Sequence, residues 1–280
     1  MTEGYSKKIE QELISLGVKP SKDKGQNFLI DIGALEEIIR FGHPSKNEKI
    51  IEIGGGLGAL TAELAATGSI TIIELEQEFC NKLEASFPNA QVICSDIRLF
   101  DLAVLGEDLV VFGNLPYSLS TDIILYLCQY AFYLKRAVVM LQKEFAERIF
   151  AVPGTKAYGT LSVHCQLIAQ VRPGPVVPGT SFYPQASVES QVIEMLFHSE
   201  PIAKVEDQYI FQRVLQSAFF RRRKKVINSI KGSTVFSAEQ VDQAFDYSGI
   251  DPNLRAENLT PKEFVHLANA FKASAKVEEI

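Results

Sequence analysis

No run of 18 apolar residues occurs in the 280-residue chain, so no bilayer-crossing helix is expected. The opening residues, Met1-Thr-Glu-Gly-Tyr-Ser-Lys-Lys8, hold no apolar core followed by a cleavage site. They also lack the Arg-rich, acid-free composition of a transit peptide, so a cytoplasmic location is expected. Cys80, Cys94, Cys128 and Cys165 include no Cys-x-x-Cys, and His43, His164, His198 and His266 show no ligand spacing. With Cys94 and Cys165 inside apolar runs that suit strands, buried free thiols in a reducing compartment are expected, with no disulfide and no metal. There is no internal repeat and no low-complexity segment. An overall excess of positive charge is missing too: the net charge is −6. That argues against a generally sticky nucleic-acid binder but not against a local basic surface. Residues 201–280 carry 12 Lys and Arg against 10 Asp and Glu, concentrated at Arg221-Arg-Arg-Lys-Lys225. Such a cluster on an acidic body can dock on RNA; a solvated helix face is the competing reading.

The feature around which the chain is organised is Lys49-Ile-Ile-Glu-Ile-Gly-Gly-Gly-Leu-Gly-Ala-Leu-Thr61. Its apolar start suits a buried parallel strand, and Leu57 to Ala66 reads as a helix. The glycines between them, with Gly54 and Gly56 spaced as in a dinucleotide fingerprint, let backbone N–H groups approach a ligand at a helix N-terminus. The next strand, Ser69 to Leu75, ends near Glu74, a carboxylate placed to take both ribose hydroxyls of a nucleotide cofactor. NAD and S-adenosylmethionine satisfy that geometry equally. The third strand, Ala90 to Ser95, ends at Asp96, which can accept from an adenine amino group. The fourth, Asp108 to Gly113, runs into Asn114-Leu-Pro-Tyr117. Strand ends on one edge of a parallel sheet converge on one crevice.

Asn114-Leu-Pro-Tyr117 resembles the amino-methyltransferase signature and selects S-adenosylmethionine. Gly25-Gln-Asn-Phe-Leu29, Glu52-Ile-Gly-x-Gly-Leu-Gly-Ala-Leu-Thr61, Ile73-Glu-Leu75 and Asn114-Leu-Pro-Tyr117, in this order and spacing, resemble the KsgA-type family, the adenine-N6,N6-dimethyltransferases of small-subunit ribosomal RNA. Gln142-Lys-Glu144, Tyr158-Gly-x-Leu-Ser162, Phe182-x-Pro-x-Ala-x-Val-x-Ser190, Phe219 to Asn228 and Arg255 to Thr260 extend the resemblance from about Lys24 to Ala270. Two positions depart from the family pattern: Ala186 and Gly55 each stand where proline is usual.

The resemblance implies an α/β class I (Rossmann-like) methyltransferase with a seven-stranded, mostly parallel sheet and a small all-α C-terminal domain. Residues 1–198 would bind S-adenosyl-L-methionine, and residues 199–280 would recognise RNA. The cofactor is expected among Gln26, Asn27, Leu29, Gly54, Gly56, Glu74, Leu75, Asp96, Ile97 and Asn114. Asn114, Leu115, Pro116 and Tyr117 would act on the target base, with Phe182 against its opposite face. Arg221, Arg222, Arg223, Lys224 and Lys225 would hold RNA. The implied substrate is two adjacent adenosines in the 3′-terminal hairpin loop of small-subunit rRNA, within an immature small ribosomal subunit, and the enzyme is expected to be a monomer. A large-subunit adenine methylase of the resistance type and a non-catalytic assembly factor are the alternatives; Leu115 and the intact Asn114 and Tyr117 argue against them.

Local signals complete the reading. Tyr5 to Leu16 has helical spacing, and 19–24 is a polar loop. Asp31 can cap a helix over Ile32 to Phe41. Ser118 to Tyr133 reads as a helix, Lys135 to Leu141 as the fifth strand and Gln142 to Arg148 as a helix. Leu161 to Val171 reads as a strand, ended by the proline-rich Arg172 to Gly179; with Gln191 to Phe197 it would form a terminal hairpin. His198 to Lys204 is the expected linker. Asp207 to Lys231 is one long helix or two short ones. Ser237-x-x-Gln240 and Thr260-Pro-Lys-Glu263 are capping boxes.

Overall fold

The computed structural model describes residues 2–20 and 26–277, so most of the expected 19–24 loop and Gly25 lie outside the described residues. Helix α1 (Thr2–Ser15) comes first. A two-residue strand β1 (Phe28–Leu29) and α2 (Ile32–Gly42) follow, with the Asp31 carboxylate accepting from Ala34 N at 3.2 Å as the expected cap. Then βα alternation sets in: β2 (Lys49–Ile53), α3 (Ala59–Ala65), β3 (Ile70–Glu74), α4 (Gln77–Ser86), β4 (Gln91–Cys94), β5 (Leu109–Asn114), α5 (Ser120–Gln129) and β6 (Leu134–Gln142). Helices α6 (Lys143–Phe150) and α7 (Thr160–Ile168) precede β7 (Ala169–Val177), β8 (Phe182–Tyr183) and β9 (Ser190–Phe197). Four further helices, α8 (Gln208–Phe219), α9 (Val226–Gly232), α10 (Ala238–Ser248) and α11 (Pro261–Val277), end the described chain.

The main sheet has seven strands in the order β4-β3-β2-β5-β6-β9-β7. The β2, β3, β4, β5 and β6 pairings are parallel, and β9 runs antiparallel to β6. This is the α/β architecture expected from the sequence. The central strands are continuous apolar runs because both faces of the sheet are covered; four of five residues in β2 and five of six in β5 are buried. Strand order reverses between β2 and β5, and a crevice opens at such a switch point, outside the strand C-termini. A separate two-stranded sheet pairs Phe28 with Tyr183 and Leu29 with Phe182.

The chain divides into two compact units. Residues 1–146 with 170–198 form the sheet unit, and residues 147–169 with 199–280 form the helical unit. The boundary at 198/199 coincides with the expected linker, but 147–169 does not stay with the sheet. The apolar segment 161–168, expected as a strand, is helix α7; its Val163 and Leu167 join Phe211, Leu215, Phe264 and Leu267 in the helical core. The side chain of Gln166 anchors it, donating to the Ile149 and Ala151 carbonyls at 2.9 and 2.8 Å. Correspondingly, β7 runs through Pro173 and Pro175, where a strand was expected to stop. It is an edge strand, so a proline nitrogen without a proton can face outward without breaking a ladder.

The cysteine expectation also fails in part. The β3-α4-β4 crossover lays α4 beside β4, which brings the Cα atoms of Cys80 and Cys94 to 5.8 Å, and the two are joined by a disulfide. Fourteen residues apart in sequence, they share no local motif; only the crossover pairs them.

Within the helical unit the basic segment 221–225 is a turn between α8 and α9, so the two-helix reading applies. Both capping boxes form, with reciprocal bonds between Ser237 and Gln240 and between Thr260 and Glu263. No helix among the described residues is long and apolar enough to cross a membrane.

Candidate functional site

A cavity of about 980 Å³ opens at the C-terminal edge of the sheet unit, over the ends of β2, β3, β4 and β5. Gln26, Asn27, Leu29, Gly54, Gly56, Glu74, Leu75, Asp96, Ile97 and Asn114 all line it, as do Leu115, Pro116 and Tyr117. Gly54 and Asn114, 60 apart in sequence, thus face one cavity because β2 and β5 are parallel neighbours that end side by side.

The glycine turn is held from the next strand. Glu74 is buried at the end of β3; its Oε2 accepts from Gly56 N at 2.9 Å, and its Oε1 accepts from Leu75 N at 2.7 Å and Glu76 N at 3.0 Å. Three N–H donors orient the carboxylate and leave lone pairs for a further donor such as a ribose diol. Gly56 reaches this arrangement at φ 51°, the left-handed region that favours glycine. At Gly55 the demand is for space instead: a Cβ there would lie 2.8 Å from Ile72 and Leu83 side-chain atoms.

Asp96, after β4, accepts from the Arg98 main-chain N at 2.9 Å and pairs with the Arg98 guanidinium at 2.6 Å. The Arg98 hydrogen bond holds its carboxyl below the usual range despite partial burial, so it is an acceptor at neutral pH. Arg98 also pairs with Asp122 of α5 at 3.2 Å, which ties this edge of the cavity to a rigid helix.

On the opposite wall, Asn114 donates through Nδ2 to the Asn27 carbonyl at 3.0 Å, which turns the amide oxygen the other way. Leu115 N donates to Met140 O at 3.1 Å, and Pro116 holds φ −61°. The Pro116 carbonyl accepts from Leu119 N and Ser120 Oγ at 3.0 and 3.1 Å. The Tyr117 hydroxyl bonds Ser190 Oγ at 2.7 Å, and burial raises its pKa, opposed by that bond. The phenol is therefore neutral and its ring is fixed against β9.

Phe182 departs from its expected place. It is 2% exposed, packs in the sheet-unit core with Leu29 and Val192, and does not line the cavity. The physical reason is the β1–β8 pairing, which turns Phe182 inward opposite Leu29; Ser181 O accepts from Ile30 N at 2.9 Å and Ser181 Oγ donates to Asp31 at 2.7 Å.

The structure also adds residues that the sequence did not single out. Glu52, 1% exposed and next to last in β2, lines the cavity and accepts from Thr61 Oγ1 at 2.6 Å. Burial, with a smaller contribution from the Glu74 charge and opposed by the Thr61 bond, pushes its carboxyl up to about 7. A carboxylate inside an apolar strand run was the available signal. Lys8, Ile9 and Glu12 of α1 form part of the rim, and Glu12 pairs with Lys82 of α4 at 3.0 Å. No sequence pattern marks α1 as a wall of the cavity.

The acceptor set, a carboxylate at Glu74 and another at Asp96 beside a glycine cradle, fits an adenosine moiety with its diol and exocyclic amine. The Asn114–Tyr117 wall offers a neutral acceptor, a constrained carbonyl and an aromatic face. That set suits an uncharged amine on a planar ring better than an ester, a phosphate or a metal.

Comparison with known proteins agrees. The family profile described as "Ribosomal RNA adenine dimethylase" matches residues 18–273. A protein of Shouchella clausii named "Ribosomal RNA small subunit methyltransferase A" is 36% identical over 275 residues, 93% of this chain and 92% of that protein. A protein of Mannheimia succiniciproducens with the same name is 38% identical over 267 residues, 91% of each. Among solved structures, a dimethyladenosine transferase from Plasmodium falciparum superposes with a TM-score of 0.76 at 22% identity, covering 89% of this chain and 98% of that one. The 23S rRNA methyltransferase ErmE superposes at 0.66 and 19% identity, over 88% of this chain and 100% of that one. These two likenesses bear on the fold.

Proposed function

The chain belongs to the ribosomal RNA adenine dimethylase family, and on that premise we propose that it dimethylates N6 of two adjacent adenosines in the 3′-terminal hairpin loop of small-subunit rRNA, using S-adenosyl-L-methionine. The observation that carries the site-level reading is the convergence of Glu74, Asp96 and the Asn114–Tyr117 segment on one cavity. Relatives named for the small subunit, over nine-tenths of their length, favour that subunit over the large one.

The cofactor, when bound, would supply an electrophilic methyl on a sulfonium, whose S–CH3 bond would break as the N–CH3 bond forms and leave a neutral thioether. Glu74 would accept from its ribose hydroxyls and Asp96 from its adenine amine, with Gln26, Asn27, Leu29, Gly54, Gly56, Leu75 and Ile97 lining the same cavity. The target amine is a poor nucleophile because its lone pair is conjugated with the ring. The Asn114 oxygen and the Leu115 carbonyl accept its two hydrogens and favour the pyramidal form, in which the lone pair is localised. After the first transfer one hydrogen remains, and one acceptor suffices for the second. Tyr117 stacks on the extruded base and stands near the cationic sulfonium. No strong base is needed; the extra proton on the product amine leaves to solvent. Rate comes from orientation and from preorganised acceptors.

The proposed setting is the cytoplasm, and the proposed form is a monomer. The test is single-turnover transfer of labelled methyl to immature small-subunit particles, followed by primer extension across both candidate sites. Modification of two adjacent small-subunit adenines is expected. Modification confined to large-subunit RNA, or tight binding without transfer, would overturn the reading in favour of a resistance-type methylase or an assembly factor.

A further inference from the structure

Helix α8 is amphipathic in an uncommon way. Its inner face buries Phe211, Val214, Leu215 and Ala218. At about 100° per residue, Tyr209, Arg213, Gln216 and Phe220 fall within a wedge of about 60° on the opposite side. Phe220 caps the helix but keeps helical backbone, φ −58° and ψ −40°, so the stripe continues to its end. Tyr209 is 70% exposed and Phe220 59%. Two large rings left in solvent on one face of one helix are not part of a core, and each carries a cation. The Arg213 guanidinium carbon lies 5.9 Å from the Tyr209 ring centre, and that of Arg221 lies 5.5 Å from the Phe220 ring centre.

We propose that this face of α8 is a stacking surface for unpaired RNA bases, with Tyr209 and Phe220 as the platforms and the neighbouring guanidiniums as phosphate contacts. The proposal rests on the rRNA-methylase reading and adds to it a second place where RNA is held, outside the cavity. Three observations favour RNA over a protein partner. A guanidinium over each ring places positive charge at both platforms. Gln216 between them offers both donor and acceptor to base edges. The surface runs directly into the exposed turn bearing Arg223 and Lys224. Of the two acids just before the helix, Asp207 accepts from Ile210 N at 3.0 Å as its cap and Glu206 is paired with Lys272 at 3.4 Å. The rings stand 11 residues apart, about 16 Å along the helix, which a few splayed nucleotides can span. Stacking of this kind is tolerant of sequence and does not depend on phosphate count.

The test uses the full-length protein and protein-free small-subunit rRNA at fixed ionic strength. Tyr209→Ala and Phe220→Ala should each raise Kd about five- to a hundredfold, with the slope of log K against log salt unchanged, since no charge is removed. Tyr209→Phe and Phe220→Tyr should stay within about twofold of the wild type, because the ring carries the contact. The chain contains no tryptophan, so Phe220→Trp supplies a single reporter whose emission should be quenched when a base stacks on it. Wild-type affinity in both alanine variants, with unchanged melting temperature, overturns the proposal. So does an unquenched Trp emission on RNA saturation, or a loss that appears only with protein-containing particles, which would make a ribosomal protein the occupant. These outcomes, obtained with a wild-type chain that methylates small-subunit RNA, leave the proposed function standing. A wild type that neither binds nor methylates that RNA removes both.

Discussion

The side chain of Asn114 donates to the main-chain carbonyl of Asn27 at 3.0 Å, across 87 residues of sequence. This bond joins the end of β5 to the segment that leads into β1, the two walls between which cofactor and base would meet. It also fixes which end of the amide remains to accept.

Asn114→Ala removes an acceptor that matters chiefly when the target amine pyramidalises, so the loss should fall on turnover. A drop of about a hundred- to a thousandfold in single-turnover rate is expected, the scale for one preorganised polar contact. RNA affinity should change far less. Transfer at the wild-type rate would show that Asn114 plays no part in the reaction.

Tyr117→Phe and Ser190→Ala each break the same 2.7 Å hydrogen bond. Each should cost about 0.5–1.5 kcal/mol in kcat/KM, the net worth of a neutral hydrogen bond. The double variant should be no worse than either single one, because the bond can be lost only once. Tyr117→Ala should be much more damaging, since it also removes the stacking ring. Additive losses in the double variant would mean that the two hydroxyls act separately.

Glu52 makes stability depend on pH. Its folded-state carboxyl titrates near 7, above its ordinary value of 4.5, mainly because it is buried. The unfolded chain therefore releases this proton first. The contribution is most favourable below the ordinary value and declines as pH rises through about 7, by about 3 kcal/mol at most. Urea-unfolding midpoints measured from pH 5 to 8.5 should fall more for the wild type than for Glu52→Gln, which is neutral throughout. Parallel curves would assign the decline to other groups.

Four of the five basic residues at 221–225 should separate into two kinds. Arg222 donates to the Lys156 and Tyr158 carbonyls at 2.9 and 2.6 Å, so Arg222→Ala should lower the melting temperature, with about 1–3 kcal/mol lost for the unpaired carbonyls. Lys225 bonds Asn253 at 2.6 Å. Arg223→Ala with Lys224→Ala should leave stability alone and flatten the salt dependence of RNA binding by about 0.7–0.9 log units per lost phosphate contact. An unaltered slope would assign these two to a solvated surface.

What could be read without the structure was local in its physics. A buried parallel strand is a continuous apolar run, so β2 and β5 stood out. The glycine turn stood out because few other residues allow its backbone, and the caps at Asp31, Ser237 and Thr260 because a helix start depends on residues three apart. The strand-end part of the cavity lining, Gly54, Gly56, Glu74, Asp96 and Asn114, followed from those pieces, since strands of one parallel sheet end on one edge; Gln26, Asn27 and Leu29 were expected through the family resemblance. The features the sequence did not decide depend on partners distant along the chain. The segment 161–168 is apolar enough for a strand or a helix, and packing against Phe211 and Phe264 makes it a helix. Prolines 173 and 175 are tolerated because β7 is at an edge, a property of strand order. Phe182 turned inward because β8 found β1, about 150 residues earlier. Cys80 met Cys94 through a crossover, and Glu52 acquired its raised pKa from being enclosed. Short-range backbone preferences are written residue by residue; burial, pairing and proton affinity are set by what the folded chain places alongside.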